Sequence, residues 1–366
     1  MKTVMTVRGP ITPEELGFTS MHEHVLTNAD FYMEEFVPAM GEPPASVFPS
    51  APEDPVKMED LAYLNHGYYV RNHDNWDLTD ESLMGAEVGD FHACGGGAIL
   101  ECSAPGIRGD VNGLKRISEA TGVHIVASTG LYAERSWPER FQEATRSDFV
   151  AYMRDEIENG MDVTSIKPGQ IKVASNGNTP RQLEFLKAAS RVSADTGIMV
   201  TAHLGVGTVE DDSRQVYQSL LEAGMQPERL LMCHFQGYVQ ITRLESLLAD
   251  PAAWAPQLDY AREVLDRRIN ICFDCFGQTW DTEAQGSVSE SDSYKIAAIY
   301  QLLQEGYSDQ IVVGTDVFLK IMTRRYGGHG YVRLQNYVVP TLKQVGVSKE
   351  VIAKLTVENP ARLLAF

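Results

Sequence analysis

Apolar runs of strand length recur eight times along this chain, with helix-like segments between them, and that alternation restricts the fold more than any other feature. Seven of the runs are "GGAILECSA" (96–104), "HIVASTGLY" (124–132), "GQIKVAS" (169–175), "IMVTAHLG" (198–205), "LLMCHF" (230–235), "INICFDCF" (269–276) and "IVVGTD" (311–316). The remaining one comes first in the chain, around "TSMHEHV" (19–25). Near-continuous apolar strands alternating with helices call for a parallel sheet covered by helices, because crossover helices bury both of its faces. Eight such units predict an α/β fold, a (β/α)₈ barrel, with residues 1–366 forming one domain. The clearest helix reads "TPRQLEFLKAASRVSADTG". Thr179 caps it, Pro180 takes the first helical position, Gln182 completes a capping box and Gly197 ends it.

One connection is far longer than an ordinary βα link. It forms an insertion over about 29–95, after the first strand. Its proline-rich part, "VPAMGEPPASVFPSAPEDP", predicts irregular chain, and "VKMEDLAYLNHGYYVRNHDNW" onward predicts helix. An insertion at that point rises over the C-terminal face of a barrel, as a lid, a subunit contact or plain decoration. A homodimer is therefore an open arrangement.

With 43% hydrophobic residues the chain can bury a large core, and its net charge of -19 argues against nucleic acid or an anionic membrane as partner. No run is long enough to span a membrane, and "MKTVMTVRGPITPEELG" lacks the apolar stretch of a signal peptide. A cytoplasmic protein acting on a small molecule is the expectation. Five cysteines, four of them in strand-like runs, do not form a disulfide framework. Cys272 and Cys275, three apart on a strand, face opposite sides and read as small buried apolar groups.

Polar residues interrupt the apolar strands at particular places. His22 and His24 are two apart, so on a strand both imidazoles point to one face. Lys172, His203, His234 and Asp316 fall on later strands. The C-terminal ends of barrel strands converge on one mouth, and a buried lysine or histidine is costly unless paired or metal-bound. One such residue is easily a satisfied core group; six on the ring point to a metal site. Lysine becomes a useful ligand when its nitrogen takes up carbon dioxide as a carbamate, whose two oxygens can bridge two divalent ions about 3.5–4 Å apart that share a hydroxide. The alternative is an ordinary lysine that neutralises Asp316.

In order, "MHEHV", "QIKVAS", "TAHLG", "CHFQG" and "VVGTD" resemble the metal-binding pattern of the phosphotriesterase-like family of the amidohydrolase superfamily. "GPITPEELG", "RRYGGHGY" and "VENPARLL" resemble the same group. The resemblance implies a barrel with two divalent ions, read as zinc, with manganese, cobalt or iron also compatible. It implies that His22, His24 and Asp316 hold the more buried ion, His203 and His234 the more exposed one, and carbamylated Lys172 bridges them. It further implies a hydrolase in which Asp316 takes up the proton. Lactone hydrolysis is the first expectation. Organophosphate ester hydrolysis and N-acyl amide hydrolysis are alternatives, and a non-catalytic, metal-stabilised binding protein is the least favoured.

Further residues are candidates for the pocket. Tyr132 and Trp137 follow the third strand, and Glu101 is placed to support a ligand histidine. His329, flanked by glycines, reads as a loop-shaping residue. Lys320, Arg324, Arg325 and Tyr326 follow Asp316 and predict a substrate with an anionic group, because arginine binds carboxylate or phosphate through paired hydrogen bonds. The alternative is a set of ion pairs that shape the loop.

Overall fold

The computed structural model describes residues 2–36, 51–65, 71–175, 177–204, 209–239, 244–278 and 291–366. An antiparallel hairpin, β1 (Val4–Thr6) and β2 (Gly9–Ile11), opens the chain. The barrel strands follow as β3 (Thr19–Glu23), β4 (Ala98–Glu101), β5 (His124–Val126), β6 (Ser128–Gly130), β7 (Gln170–Ser175), β8 (Val200–Leu204), β9 (Leu230–Met232), β10 (Asn270–Phe273) and β11 (Ile311–Val313). β5 and β6 are one strand interrupted at Ala127, which leaves eight staves. All pairings within the order β3-β4-β5 and within β6-β7-β8-β9-β10-β11 are parallel. The ring closes between β11 and β3, where Asp316 N–H donates to His22 O at 2.9 Å. This is the (β/α)₈ barrel predicted from the alternation.

Local sequence explains the helices. In Pro180–Thr196, Thr179 Oγ1 accepts from Gln182 N–H, Gln182 answers to Thr179 N–H, and Gly197 ends the helix at φ +79°. Phe185, Leu186, Ala189 and Val192 form its buried stripe against the sheet. The hairpin closes the N-terminal end of the barrel: Val7 N–H bonds to Ile125 O, and Thr3 and Phe366 exchange both backbone hydrogen bonds at 3.1 Å. A separate apolar cluster fills the interior there. It includes Val4, Leu16, Met21, Leu100, Leu231, Cys233, Cys272, Val312 and Leu363.

Between β3 and β4 the stretch predicted as helix is, among the described residues, broken into short helical pieces. The connection makes a short helix at Tyr32–Phe36, single turns at Met58–Asp60, Leu61–Tyr63 and Asp74–Trp76, and a longer helix, Glu81–Ala93, whose start is capped by Asp80. Much of the proline-rich stretch lies outside the described residues. Trp76 packs at the C-terminal end of the barrel, its ring 5.5 Å from Tyr32 and 5.7 Å from Phe318, and the 81–93 helix meets the loop after β11 through Glu87.

The seam between β11 and β3 is tight enough to test. A Cβ on Gly314 would stand 2.8 Å from His22 N and 2.9 Å from His22 O, both backbone atoms that cannot move aside. Gly314→Ala is expected to cost about 1–3 kcal/mol of stability, the usual scale for overpacking. Chemical denaturation checks this, and an unchanged midpoint would show that the seam has slack.

Candidate metal centre

The polar residues singled out in the sequence meet at the C-terminal mouth of the barrel. β3 delivers His22 and, one residue past its end, His24, with ring centroids 5.7 Å apart. Glu23 between them points the other way. It ties the seam together by accepting from Thr315 N–H at 2.7 Å, Thr315 Oγ1 at 2.6 Å and Val317 N–H at 3.1 Å, and from Ser20 Oγ. Burial raises its carboxyl to about 7, although these donors pull the other way. β7 contributes Lys172, which is 0% exposed, with Nζ 3.0 Å from His22 Nε2. β8 contributes His203. His234, Cys275 and Asp316 each follow the end of a strand, and all three adopt left-handed backbone at φ +58°, +57° and +51°. Such conformations cost about 1–2 kcal/mol each in non-glycine residues and cluster at functional sites.

Hydrogen bonds fix which ring nitrogen faces the centre. His22 Nδ1 bonds Asp274 Oδ2 at 2.7 Å, His24 Nδ1 bonds Ser103 Oγ at 2.8 Å, and His234 Nδ1 bonds Asp274 Oδ1 at 2.8 Å. In each case Nε2 is left to face the centre. His234 Nε2 lies 2.7 Å from His203 Nδ1. At that distance one ring donates an N–H to the other, so the two imidazoles are hydrogen-bonded to each other. Asp316 Oδ1 lies 3.4 Å from His24 Nε2 and 3.6 Å from His22 Nε2, and Oδ2 lies 3.7 Å from His234 Nδ1. Burial pushes the Asp316 carboxyl up, but the surrounding histidines outweigh it and hold the carboxyl well below its ordinary range. Burial lowers His24 to about 4 and His203 well below its usual value, so both present neutral, metal-ready lone pairs. His22, His24 and Asp316 offer ligand atoms within 4.8 Å of one another. This convergent nitrogen and carboxylate donor set suits divalent transition ions.

The chain matches the phosphotriesterase family over residues 2–364. An N-acetyltaurine hydrolase from Xenopus tropicalis is 30% identical over 370 residues, covering 99% of this chain and 98% of its own. The chain belongs to the phosphotriesterase family. Among solved structures, a resiniferatoxin-binding protein from Rhodobacter sphaeroides superposes with a TM-score of 0.84 at 29% identity, covering 99% of this chain and 94% of its own. A lactonase from Listeria monocytogenes shares the fold with a TM-score of 0.74 at 23% identity, over 99% and 98%. The protein is a hydrolase of a family whose members depend on two metal ions, and the donor set fits that requirement.

Several residues missed in the sequence support the centre. Asp274 is the foremost. Its carboxylate takes His22 Nδ1, His234 Nδ1, His234 N–H at 3.0 Å and Gln236 Nε2 at 2.9 Å. The available signal was an aspartate just past the end of an apolar strand, the same signature as Asp316. Gln278 bonds Asp316 O at 3.0 Å. Cys275 departs from the buried apolar role expected of it. It lies past the end of β10, half-buried, with Sγ 3.4 Å from Asp316 Oδ2. Glu101 does not reach a ligand histidine directly. It accepts from Val25 N–H and Ser103 N–H, and Ser103 in turn bonds His24.

The expected substrate residues divide. Tyr132 Oη sits 3.4 Å from the His203 ring and 3.1 Å from Tyr32 Oη, at the mouth. Trp137 instead packs between Phe149 and Phe185 and donates to Tyr132 O, so it belongs to the core behind the loop. The cationic cluster differs from expectation because acidic groups of the β3–β4 connection take its charges. Lys320 pairs with Asp74, Arg324 with Asp90 at 2.7 Å, and Arg325 with Glu87 at 2.7 Å and Asp90 at 2.9 Å. Tyr326 lies under the Lys320 ammonium, 5.8 Å from it. The His329 side chain packs beside Gly277, as a loop-shaping residue would.

Asp274→Asn tests the support. An amide cannot accept at both edges, so one imidazole loses its orientation. The expected result is about 10–100-fold weaker metal binding, the usual scale for such partners. Metal content after dialysis against a graded chelator reads this; full retention would mean that Asp274 does not orient the ligands.

Proposed function

We propose that this protein is a binuclear metal-dependent hydrolase that cleaves the acyl bond of a small carboxylic-acid derivative, an N-acyl amide or a lactone. The observation that carries this reading is the placement of Asp316, a buried carboxylate kept ionised among three imidazoles at the mouth. In the proposed assignment His22, His24 and Asp316 would hold the deeper ion, His203 and His234 would hold the outer one, and Lys172, as a carbamate, would serve both. Zinc is the favoured ion, since nitrogen and carboxylate donors suit it. When bound, the ions supply Lewis-acid activation of the carbonyl and of water. Asp316 accepts the proton of the attacking water and returns it to the leaving amine or alkoxide. Asp274 keeps the His22 and His234 rings from turning as charge shifts, and Tyr132 borders the side where the acyl group would lie.

Relatives named N-acetyltaurine hydrolase match nearly the full chain at 28–30% identity, which supports the amide reading. A lysine at the bridging position fits the pattern of lactonases and phosphotriesterases alike, so Lys172 is compatible with the lactone reading without deciding it. A phosphotriester is a side substrate at most in this assignment. The expected anionic group loses the support of Lys320, Arg324 and Arg325, since the chain's own carboxylates engage them. Among the described residues no helix is long and apolar enough to cross a membrane.

A panel of N-acetyl amino acids, N-acetyltaurine, lactones of graded ring size and an aryl phosphotriester decides the bond class. Turnover of an amide or lactone is expected well above that of the phosphotriester, and no acyl hydrolysis by metal-loaded protein would overturn the reading. On the best substrate, Asp316→Asn is expected to lower turnover by about 10²–10⁴-fold, as for a general acid–base residue. Wild-type turnover in that variant, with metal retained, would remove Asp316 from proton transfer.

The bridge has its own test. A bare ammonium at Lys172 would repel divalent ions, whereas its carbamate would attract them. Lys172→Ala is expected to lose metal and activity together, with partial recovery of both in a short-chain carboxylate buffer. Protein prepared with ¹³C-labelled bicarbonate is expected to show a carbamate resonance that Lys172→Ala lacks. Unchanged metal content in Lys172→Ala would refute the bridge.

A further inference from the structure

Cys275 stands in a second ring of donors on the far side of His234 from His203. Its Sγ is 3.3 Å from Asp274 Oδ1, 3.4 Å from Asp316 Oδ2 and 3.7 Å from His234 Nδ1. His234 Nδ1 is itself 3.7 Å from Asp316 Oδ2 and 2.8 Å from Asp274 Oδ1, and all four donor atoms lie within 4.8 Å of one another. In a tetrahedral zinc site, with metal–sulfur about 2.3 Å and metal–oxygen or metal–nitrogen about 2.0–2.1 Å, sulfur lies about 3.5 Å from each other donor. The three distances from Sγ match that geometry. The edge from His234 Nδ1 to Asp274 Oδ1, at 2.8 Å, is a hydrogen bond, and an ion that replaces its proton would part the two atoms by about half an ångström. Asp274 and Asp316 are buried, whereas the Cys275 thiol and the His234 ring are each partly exposed, so the cage is open to solvent on the side of those two residues.

We propose that Cys275, Asp274, Asp316 and His234 form a third cation site, selective for thiophilic divalent ions such as cadmium or excess zinc, whose occupation shuts the enzyme down. Binding forms bonds from the ion to Sγ, to one oxygen of each carboxylate and to Nδ1. It releases the thiol proton and the Nδ1 proton to solvent. No electron is transferred. The ion takes the Asp316 oxygen needed for proton uptake, so inhibition follows from the same contact that holds the ion. Manganese or magnesium, which prefer oxygen donors, gain little from the sulfur and bind weakly there.

The test uses full-length Cys94→Ser protein, because Cys94 is an exposed thiol away from the centre. The protein is loaded with two equivalents of zinc and titrated with cadmium. A sulfur-to-cadmium charge-transfer absorption, one further bound equivalent and loss of activity are expected together. Adding Cys275→Ser is expected to abolish the absorption and the third equivalent while two ions remain bound. Loss of those two as well would indict the binuclear assignment rather than the third site. Absorption that survives Cys275→Ser, or its absence from the parent, would overturn the proposal. Alkylation of Cys275, read by peptide mass spectrometry, gives a check independent of the variant's folding. Cadmium is expected to block it, and labelling unaffected by cadmium would overturn the site.

Discussion

Everything at the mouth depends on compensating charge that has been removed from water. His22, Lys172 and Asp274 are fully buried, and His24 and Asp316 nearly so. Each isolated ion in such a place costs several kcal/mol, and attraction recovers that only with good geometry and satisfied hydrogen bonds. Asp274 meets the condition by taking four donors at 2.7–3.0 Å. Lys172 does not meet it alone: among the described residues its recorded partner is one imidazole nitrogen. The imbalance at Lys172 is what its conversion to a carbamate among divalent ions would resolve. Folding and metal binding then share one free-energy account, and the centre is expected to be most rigid when loaded.

A barrel suits this arrangement because the strain sits at strand ends rather than within strands. β9, β10 and β11 are regular and apolar, and each is followed by a left-handed residue that turns a side chain inward: His234, Cys275 and Asp316. The ladder below is undisturbed, so the cost of each strained residue is met by the sheet's own pairing. Loops above can change substrate without moving the donors, which is how one family accommodates hydrolases of different names.

The sequence revealed the strand count, the order and six of the converging residues because each polar side chain broke an apolar run of readable length. It concealed whatever depended on partners distant in the chain. Lys320, Arg324 and Arg325 look like a free cationic cluster in a window of a few residues, but their partners Asp74, Glu87 and Asp90 lie more than 230 positions earlier. Asp274 stands in the sequence as a lone acid at the end of an apolar run, and its partners His22 and His234 lie on or just past other strands. The spacing rule put Cys275 opposite Cys272 and could not foresee that the strand ends at Phe273, so that Cys275 turns toward the centre. Trp137 shows the converse: an aromatic near the mouth in sequence whose indole belongs to the core, because its N–H finds Tyr132 O behind the loop.

The ion pairs on the loop after β11 have a purpose in positioning Asp316. From inside the barrel, Glu23 holds Thr315 and Val317, the neighbours of Asp316 on either side, by their backbone N–H groups. From outside, Glu87, itself buried, accepts from the backbone N–H groups of Arg324 and Arg325 as well as from the Arg325 guanidinium, and Asn75 Oδ1 accepts from Ile321 N–H. Those contacts are made to the backbone, so they set the path of the loop and not merely its surface charge. A left-handed aspartate persists only where its surroundings over-determine it. Here two carboxylates on opposite sides, one from β3 and one from the helix before β4, supply that constraint. The β3–β4 connection thus acts on the cluster at the mouth through the geometry of Asp316, and Asp74, Glu87 and Asp90 do so by holding the loop.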